Sequence, residues 1–256
     1  MNQRSSSRGQ KLTQFLWACE FHIGGREEQQ DAADIVKSPD GCGYLLALAD
    51  GMGGHRGGSL ASNALVDVAK GLWEAHKGKP EDPRAFLTEV FLRGHDEVNR
   101  RGFVRGLEPR STLVVLIVRD DQAWWAHVGD SRLYHFREGR VVFRTRDDSL
   151  VQVMLDAGEI TPGEAENHPD QNRLLRSVGG GLLPRITYGA SDISVKDVFL
   201  LCSDGLWEPL KEKELLALVS HSNLEAALRK VVQEAAARGG SGADNISALL
   251  LKVGAA

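Results

Sequence analysis

Seven short apolar segments, each bounded by Gly or Asp, place the strongest limit on how this chain can fold. They are rich in Val, Leu, Ile and aromatic residues, a composition typical of β-strands. They occupy residues 15–21, 42–49, 112–118, 123–128, 133–136, 198–202 and 246–253. An eighth strand is predicted at 141–144, because the Glu138-Gly139-Arg140 sequence before it suits a tight hairpin.

The order of the predicted elements separates the possible fold classes. Apolar residues recur at helical spacing in 61–72, 87–98 and 224–235, which predicts three amphipathic helices. Two of these helices follow the second predicted strand, four strands then come in close succession, and the last helix precedes the final strand. This is not the regular alternation of a doubly wound sheet. We therefore predict an antiparallel β-sandwich flanked by helices.

Length and composition indicate an ordinary globular protein, with 42% hydrophobic and 26% charged residues among 256. We predict a single domain over residues 12–256, after a polar leader at 1–11 that we expect to be disordered. The formal net charge is -4, with acids and bases mixed along the chain, which argues against nucleic-acid binding. No apolar stretch has the length of a signal peptide or membrane span, so a cytoplasmic location without membrane contact is predicted.

Three cysteines, Cys19, Cys42 and Cys202, lie within or beside apolar runs. Their number is odd, and no Cys-x-x-Cys spacing occurs. We therefore predict buried, reduced thiols, as fits a cytoplasmic protein.

Aspartates stand at the ends of four predicted strands. Asp50 and Asp204 each follow a strand and precede Gly, Asp130 follows another strand, and Asp244 precedes the last one. One Asp-Gly pair alone is more often a structural turn. Four carboxylates placed alike predict a site of hard oxygen ligands, which repel one another without cations and favour Mg²⁺ or Mn²⁺ over zinc.

Other enzyme classes fail simple spacing tests. The Gly-rich segment after Asp50 lacks the Gly-x-Gly-x-x-Gly spacing of a dinucleotide-binding loop, because Arg56 occupies the sixth position from Gly51. No cysteine has the arginine six positions later that a cysteine-dependent phosphatase needs. Gly78-Lys79 runs into proline, and so lacks the Ser or Thr of a P-loop.

Five motifs in order resemble those of the metal-dependent serine/threonine protein phosphatases of the PP2C class (the PPM family), and of its bacterial members in particular. They are REEQQDA at 26–32, DGMGGH at 50–55, VGDSRLY at 128–134, CSDGLW at 202–207 and GADNIS at 242–247. The resemblance spans almost the whole chain. It implies a four-layer α-β-β-α sandwich of the α+β class, with two mainly antiparallel sheets flanked by helices.

The resemblance also implies roles for individual residues. Asp50 would bridge two metal ions, Asp204 and Asp244 would complete the first ion's ligands, and the Gly51 carbonyl would serve the second. Asp31 would act through metal-bound water, Arg26 would hold the substrate phosphate, and Asp130 would help to bind a third ion. The expected cofactors are thus two to three Mn²⁺ or Mg²⁺ ions.

The expected reaction is hydrolysis of phosphoserine and phosphothreonine in proteins by a water that two metal ions activate. Arg26 suits a phosphate because its planar guanidinium donates two hydrogen bonds and stays charged, although a plain surface arginine would look the same in sequence. The expected partners are a phosphoprotein substrate and a cognate bacterial serine/threonine kinase, and the expected state is a monomer. The alternative is an inactive relative that only binds a phosphoprotein as a scaffold.

Three positions depart from the family pattern. Gln29 and Gln30 stand where an acid is usual, so metal affinity is expected to be lower. Met52 replaces the histidine that animal relatives have after Asp-Gly, which leaves the proton donor to another group, with His55 near in sequence.

The third departure is Asp148, which stands where bacterial relatives have histidine, at the start of a variable flap predicted at about 147–172. We expect this flap to influence substrate choice. Within it, His168 is predicted to lie on a loop. His127, inside a strand, is predicted to be a hydrogen-bonded core residue.

Overall fold

A computed structural model describes residues 12–52, 57–166, 168–221 and 223–255 of the chain. The leader predicted at 1–11, and His55, lie outside these residues. The strands are β1 (Leu12–His22), β2 (Asp31–Lys37), β3 (Gly43–Met52), β4 (Arg110–Ser111), β5 (Leu113–Arg119), β6 (Gln122–Val128), β7 (Arg132–Arg137), β8 (Arg140–Arg144), β9 (Val178–Gly179), β10 (Thr187–Asp192), β11 (Val198–Cys202) and β12 (Ile246–Ala255). The helices are α1 (Gly58–Ala75), α2 (Pro83–Arg105), α3 (Leu150–Ala157), α4 (Pro162–Ala165), α5 (Asp204–Trp207), α6 (Glu212–Leu215) and α7 (Leu224–Gly239), with 3₁₀ turns at Leu216–Ser220 and Gly240–Gly242.

The strands form two sheets, and every strand pair is antiparallel. One sheet has five strands in the order β1-β12-β11-β7-β8. The other has seven, in the order β10-β6-β5-β3-β4-β9, with β2 paired to β3. The antiparallel sandwich predicted from the element order is confirmed.

Three apolar clusters separate four layers. The first lies between the seven-stranded sheet and helices α1 and α2, the second between the five-stranded sheet and helices α5 and α7, and the third between the two sheets. Strand β3 shows the alternation that produces this arrangement. Its Leu45 and Ala47 face the helices, whereas Leu46 and Leu48 face the other sheet. The α-β-β-α architecture is therefore confirmed.

The hairpin predicted before β8 is present. Glu138 and Gly139 connect β7 to β8 with φ angles of 51° and 71°, and Arg137 pairs with Arg140. Two consecutive residues with positive φ define the turn that matches the twist of adjacent strands. Gly139 meets this requirement without strain.

Four strands have no counterpart in the sequence prediction. β2 and β10 are the long ones, and both are only partly buried along their length. Partial burial permits polar residues, so neither strand carries a continuous apolar run. β4 and β9 contain two residues each, which is too short for any periodicity to appear.

The segment predicted as a flap contains α3 and α4. Its first residues are tied to the sandwich, because Asp147 accepts two hydrogen bonds from Arg132 at 2.9 and 2.6 Å. Asp148 accepts one from the backbone of Gly129 at 3.1 Å and one from Arg176 at 2.7 Å. A half-buried carboxylate held by two donors, rather than a histidine, thus fixes the start of this segment.

The cysteine prediction was wrong for two of three residues. Cys202 is buried, but Cys19 and Cys42 are exposed. Cys19 lies on β1 at the sheet edge, where Ala18 points into the core and its neighbour points outward. Cys42 follows the turn at Gly41.

Within the described part of the chain, no helix is long and apolar enough to span a bilayer.

Candidate active site

The four strand-end aspartates come together at one end of the sandwich. Asp50, Asp130, Asp204 and Asp244 line a single cavity of about 550 Å³, with Arg26 at its edge. The seven-stranded sheet supplies Asp50, and the five-stranded sheet supplies Asp204 and Asp244. The cavity therefore lies on the boundary between the two sheets.

Neighbouring strands hold the backbone of Asp50 in place. Its amide donates to Thr112 Oγ1 at 2.9 Å, and its carbonyl accepts from the Thr112 amide at 2.9 Å and from Ser111 Oγ at 2.7 Å. These bonds all involve the backbone of Asp50, and the residue lines the cavity. Asp31 lies directly opposite Asp50 in the β2–β3 register, which places the two Cα atoms within about 5.5 Å.

Gly51 occupies a position that no larger residue can take. A Cβ atom there would lie 2.1 Å from the carbonyl oxygen of Gly58. The Gly51 amide donates to the Gln30 carbonyl at 3.1 Å, and Gly51 itself lines the cavity. The close approach of α1 to the end of β3 thus explains the glycine after Asp50.

Ser203 connects the two sheets behind the cavity. Its hydroxyl donates to Asp31 Oδ2 at 2.8 Å and accepts from the Ser247 amide at 3.0 Å. Asn245 makes a similar connection, because its Oδ1 accepts from the Gln30 amide at 2.8 Å and its Nδ2 donates to the Ile23 carbonyl at 2.8 Å. These two side chains fix the acidic residues of one sheet relative to those of the other.

The acidic side chains oppose one another's ionisation. Burial raises the pKa of Asp31 to about 7. Burial, and then the charge of Asp244, raises the pKa of Asp204 to about 6. The pKa values of Asp50 and Asp130 lie well above the ordinary value, first through burial and then through Asp31 and Asp204 respectively. Such a cluster is destabilised when ionised unless positive charge enters it.

The donor set fits a hard divalent cation. Asp31 Oδ1 and Asp204 Oδ1 are buried and have no hydrogen-bond partner, and oxygen-only ligands favour Mg²⁺ or Mn²⁺. Within the described ranges, however, no three acidic, His or Cys side chains already converge as ligands of one ion. Asp244 accepts a hydrogen bond from Arg26. A full set of metal ligands therefore requires rotation of the Asp244 side chain, or a backbone carbonyl such as that of Gly51 as a further ligand.

Arg26 lies at the mouth of the cavity. Its guanidinium donates to Asp244 Oδ2 at 2.7 Å, and its side chain is 58% exposed. Gly24 and Gly25 before it pack against the backbone of 241–244, where a Cβ atom on either would come within 2.2 Å of a carbonyl oxygen. The loop thus holds Arg26 beside the acids, with enough exposure to meet a ligand from solvent.

Asp130 is held by a separate set of contacts. Its backbone carbonyl accepts from Trp207 Nε1 at 3.1 Å. The guanidinium of Arg132 stacks on the Trp207 ring, 3.4 Å from its centroid, while it also pairs with Asp147. The connection from the flap to Asp130 therefore runs through a cation–π contact.

The remaining sequence predictions concern Gln30, Met52, His127 and His168. Gln30 and Met52 both line the cavity. His168 Nδ1 accepts from the Asp170 amide at 3.1 Å in a loop. His127 is buried as predicted, and one ring nitrogen, Nε2, lies 2.9 Å from the Arg146 carbonyl. The predicted core position with a hydrogen bond is therefore confirmed, although the Nδ1 atom has no partner among the described residues.

Sequence reasoning missed the hydroxyl groups that support the acids. Thr112 and Ser203 each adjoin a motif or strand that the sequence predicted, but a hydroxyl at a strand end carries no signal of its tertiary partner. Asn172 and Leu174 also line the cavity. They show that the last residue of the predicted flap and the residues just after it reach the site.

Comparisons with known proteins agree with this geometry. Residues 20–250 match the family model described as protein phosphatase 2C. The chain is 32% identical over 214 residues to the serine/threonine protein phosphatase PstP of Mycobacterium tuberculosis, covering 82% of this chain and 40% of PstP. It thus spans less than half the length of that relative. It is 32% identical over 213 residues to the protein phosphatase PhpP of Streptococcus pneumoniae, covering 82% of this chain and 85% of PhpP.

Solved structures show the same architecture. The crystal structure of the M. tuberculosis serine/threonine phosphatase PstP/Ppp matches with a TM-score of 0.84 and 28% identity, covering 94% of this chain and 99% of that one. The catalytic domain of PstP in complex with two manganese ions matches with a TM-score of 0.80 and 27% identity, covering 94% and 98%. The chain belongs to the protein phosphatase 2C family.

Proposed function

We propose that this chain hydrolyses phosphoserine and phosphothreonine in proteins with the help of divalent metal ions. The observation that carries the proposal is the convergence of acids from both sheets on one cavity, with Arg26 at its mouth. The acids supply negative oxygen ligands, and the arginine supplies a fixed positive charge for a phosphate. A phosphate monoester at the mouth of the cavity would contact both.

Two to three Mn²⁺ or Mg²⁺ ions are the proposed cofactors. Asp50, Asp204 and Asp244 would hold them together with the Gly51 carbonyl, and Asp130 would hold a third. When bound, such ions supply an activated water for attack on phosphorus. The manganese-bound relative supports this assignment.

The protein's own groups would bind and orient the substrate. Arg26 would donate two hydrogen bonds to phosphate oxygens. Its guanidinium would either keep its hydrogen bond to Asp244 at the same time or break it. Asp31 would accept a hydrogen bond from a water beside Asp50, because its Oδ1 has no other partner. Ser203 would keep Asp31 oriented through Oδ2.

The cellular setting belongs to the same proposal. The enzyme would act as a cytoplasmic monomer, within a single domain over 12–256, and would oppose a serine/threonine kinase of the same cell. The flap at 147–172 would contribute to substrate choice. The relatives PstP and PhpP are phosphatases, which favours an enzyme over an inactive scaffold.

Metal dependence provides the direct test. The purified chain, stripped of metal, will be inactive on a phosphothreonine peptide and will gain activity as Mn²⁺ is added. Excess chelator will remove that activity, because the acids cannot hold a water for attack without a cation. Phosphate release over a range of Mn²⁺ and Mg²⁺ concentrations is the measurement. A chain that stays inert at every concentration, yet binds the phosphopeptide, is the scaffold.

The third-metal assignment has its own test. Replacing Asp130 with alanine will lower kcat on a phosphoprotein by about tenfold, roughly the loss of one ligand's contribution. Asp50, Asp204 and Asp244 remain, so two Mn²⁺ ions will still bind by calorimetry. An unchanged kcat would contradict a catalytic role for this ion. Asp34→Ala on β2, which lies outside both the cavity and the flap, is the control.

A further inference from the structure

The most exposed large apolar side chains of the described residues belong to two segments. Phe103 and Val104 near the end of α2 are 87% and 73% exposed, and Leu182 and Leu183 after β9 are 84% and 73% exposed. Each of the other large apolar side chains on the described surface has an exposed fraction of at most 52%. Apolar residues that are exposed together commonly mark a binding surface.

The fold brings these two segments side by side. Asn99 of α2 donates to the Gly180 carbonyl at 3.0 Å, and the Gly179 amide donates to His95 Nδ1 at 3.2 Å. Phe103 lies four residues after Asn99, on the same face of the helix one turn further along. Phe103 therefore lies one helical turn from the contact between α2 and the loop that carries Leu182.

Three arginines belong to the same segments: Arg105 follows Val104, Arg185 lies two residues after Leu183, and Arg110 lies beside Gly180. Arg105, Arg110 and Arg185 are exposed, and none of them forms an ion pair within the described ranges. A Cβ atom on Gly180 would lie 2.9 Å from Arg110 Nε, so that guanidinium covers the start of the loop. We call the seven residues the Phe103 surface: Phe103, Val104, Arg105, Arg110, Leu182, Leu183 and Arg185. Within residues 103–110 and 182–185, the one acidic residue is Glu108.

The other arginines of this region are neutralised. Arg100 and Arg101 both pair with Glu97 at 2.7 Å, and Arg101 also contacts Asp67. Among the described arginines of residues 100–110, those without an ion pair are therefore the two that belong to the Phe103 surface. This local charge is opposite in sign to the net charge of the whole chain, which is -4.

The Phe103 surface begins close to the cavity. Arg110 pairs with Gly179 on one side and with Met52 on the other, and Met52 lines the cavity. Neighbouring strands lie about 4.8 Å apart. An extended peptide, which rises about 3.3 Å per residue, would pass from a phosphate in the cavity to this surface within a few residues.

We propose that the Phe103 surface docks the segment of the protein substrate that flanks the phosphorylated residue, and that this segment combines apolar with acidic side chains. The proposal rests on the phosphatase function proposed above. The apolar side chains of the substrate pack on Phe103 and Leu182, and its carboxylates meet Arg105, Arg110 and Arg185. A second copy of the chain is a poorer occupant, because a stable dimer interface involves about 20–30 residues on each side.

Docking away from the reacting phosphate stabilises the bound substrate and the transition state equally, so it lowers KM with little effect on kcat. For the wild type we expect kcat/KM on a peptide with a Leu- and Glu-rich extension to be roughly tenfold that on a peptide with a Gly-Ser extension. This ratio corresponds to about 1.4 kcal/mol. The substrates are phosphothreonine peptides with a Leu- and Glu-rich extension on either side, and peptides with a Gly-Ser extension of equal length. An aryl phosphate, which is too small to reach the surface, is the reference.

Two double variants test the surface: Phe103→Ser with Leu182→Ser, and Arg105→Glu with Arg185→Glu. Each should lower the ratio of kcat/KM on the Leu- and Glu-rich peptide to that on the aryl phosphate by about tenfold, through KM. The control carries Val142→Ser and Arg140→Glu on β8, where a matched apolar residue and arginine are exposed on the other sheet. That control should leave the ratio unchanged.

The outcomes separate the two proposals. Equal turnover of all peptides by the wild type, or a preference that survives in both double variants, overturns the docking surface while the phosphatase function stands. A change of oligomeric state in the double variants, seen by sedimentation, assigns the surface to a second copy and also overturns it. No hydrolysis of any peptide by the metal-loaded wild type contradicts the phosphatase function itself.

Discussion

Replacing Asp50 with asparagine will lower kcat/KM on a phosphothreonine peptide by on the order of 10³-fold, or about 4 kcal/mol of transition-state stabilisation. Asp50 lines the cavity and is the acid that we propose as a shared ligand of two metal ions. Asparagine keeps the shape of the side chain but removes the negative charge that a shared ligand needs. Phosphate release at saturating Mn²⁺ is the measurement.

The same variant should fold, because the hydrogen bonds that fix residue 50 come from its backbone. Its metal-free stability provides a second readout. The raised pKa of Asp50 means that the folded protein holds this proton more tightly than the unfolded chain does. Stability therefore falls as pH rises above about 4, the ordinary Asp pKa, until the raised pKa is passed. Asparagine removes this contribution, so urea unfolding of metal-free protein at neutral pH should show a variant at least as stable as wild type.

Asp34→Asn is the matched control. Asp34 lies on β2 opposite Ala47, faces Lys70 at 2.5 Å and is 37% exposed. An exposed pair of this kind contributes at most about 1 kcal/mol to stability. Activity of the control should stay within about twofold of wild type. If Asp50→Asn retained more than a tenth of wild-type kcat/KM at saturating Mn²⁺, Asp50 would not be the bridging ligand.

Replacing Arg26 with alanine will lower kcat/KM by about 10²-fold on peptide and aryl phosphate alike, because charge-assisted hydrogen bonds to phosphate contribute about 1.5–3 kcal/mol. Arg26→Lys should recover only part of this loss, since an ammonium group cannot make the two parallel bonds of a guanidinium. The unfolding free energy should change little, because the Arg26–Asp244 pair is exposed.

Arg229→Ala is the control for Arg26. The side chain of Arg229 is 60% exposed, about as much as that of Arg26. It pairs with Glu20 at 3.5 Å on a different part of the surface. Its removal should leave kcat/KM unchanged. A loss on the peptide but not on the aryl phosphate in Arg26→Ala would assign this arginine to peptide binding rather than to the phosphate.

Much of the fold could be read from the sequence because both sheets are buried on two faces. In β5, alternate residues such as Val114 and Val115 enter different clusters, so the strand appears as an uninterrupted apolar run. β2 has no such run, because its outer residues are only partly buried. The same reasoning explains Cys19, whose apolar surroundings in sequence lie on an edge strand with one uncovered face.

The sequence predicted those residues of the candidate site that stand at the ends of apolar strands. Asp50 and Asp204 carry a local signal, since each is a charge directly after a buried strand. Asp31 has no such signal, because it is the first residue of β2, which carries no continuous apolar run, and only the β2–β3 register brings it opposite Asp50. Ser203 carries even less, since its partner Asp31 is 172 residues away in sequence. Contacts between distant segments follow from packing, which no local pattern encodes.

The position of the cavity between the two sheets makes folding and metal supply one linked equilibrium. Carboxylates from both sheets meet there, so their repulsion pushes the sheets apart at that end and a bound cation draws them together. A ligand that binds only the folded state adds about 2.7 kcal/mol of stability at a concentration of 100 times its Kd. Shortage of divalent ions would thus lower the free energy of unfolding, and with it the folded fraction of the protein, along with its activity. A cell could then lower the amount of this enzyme simply by limiting the metal.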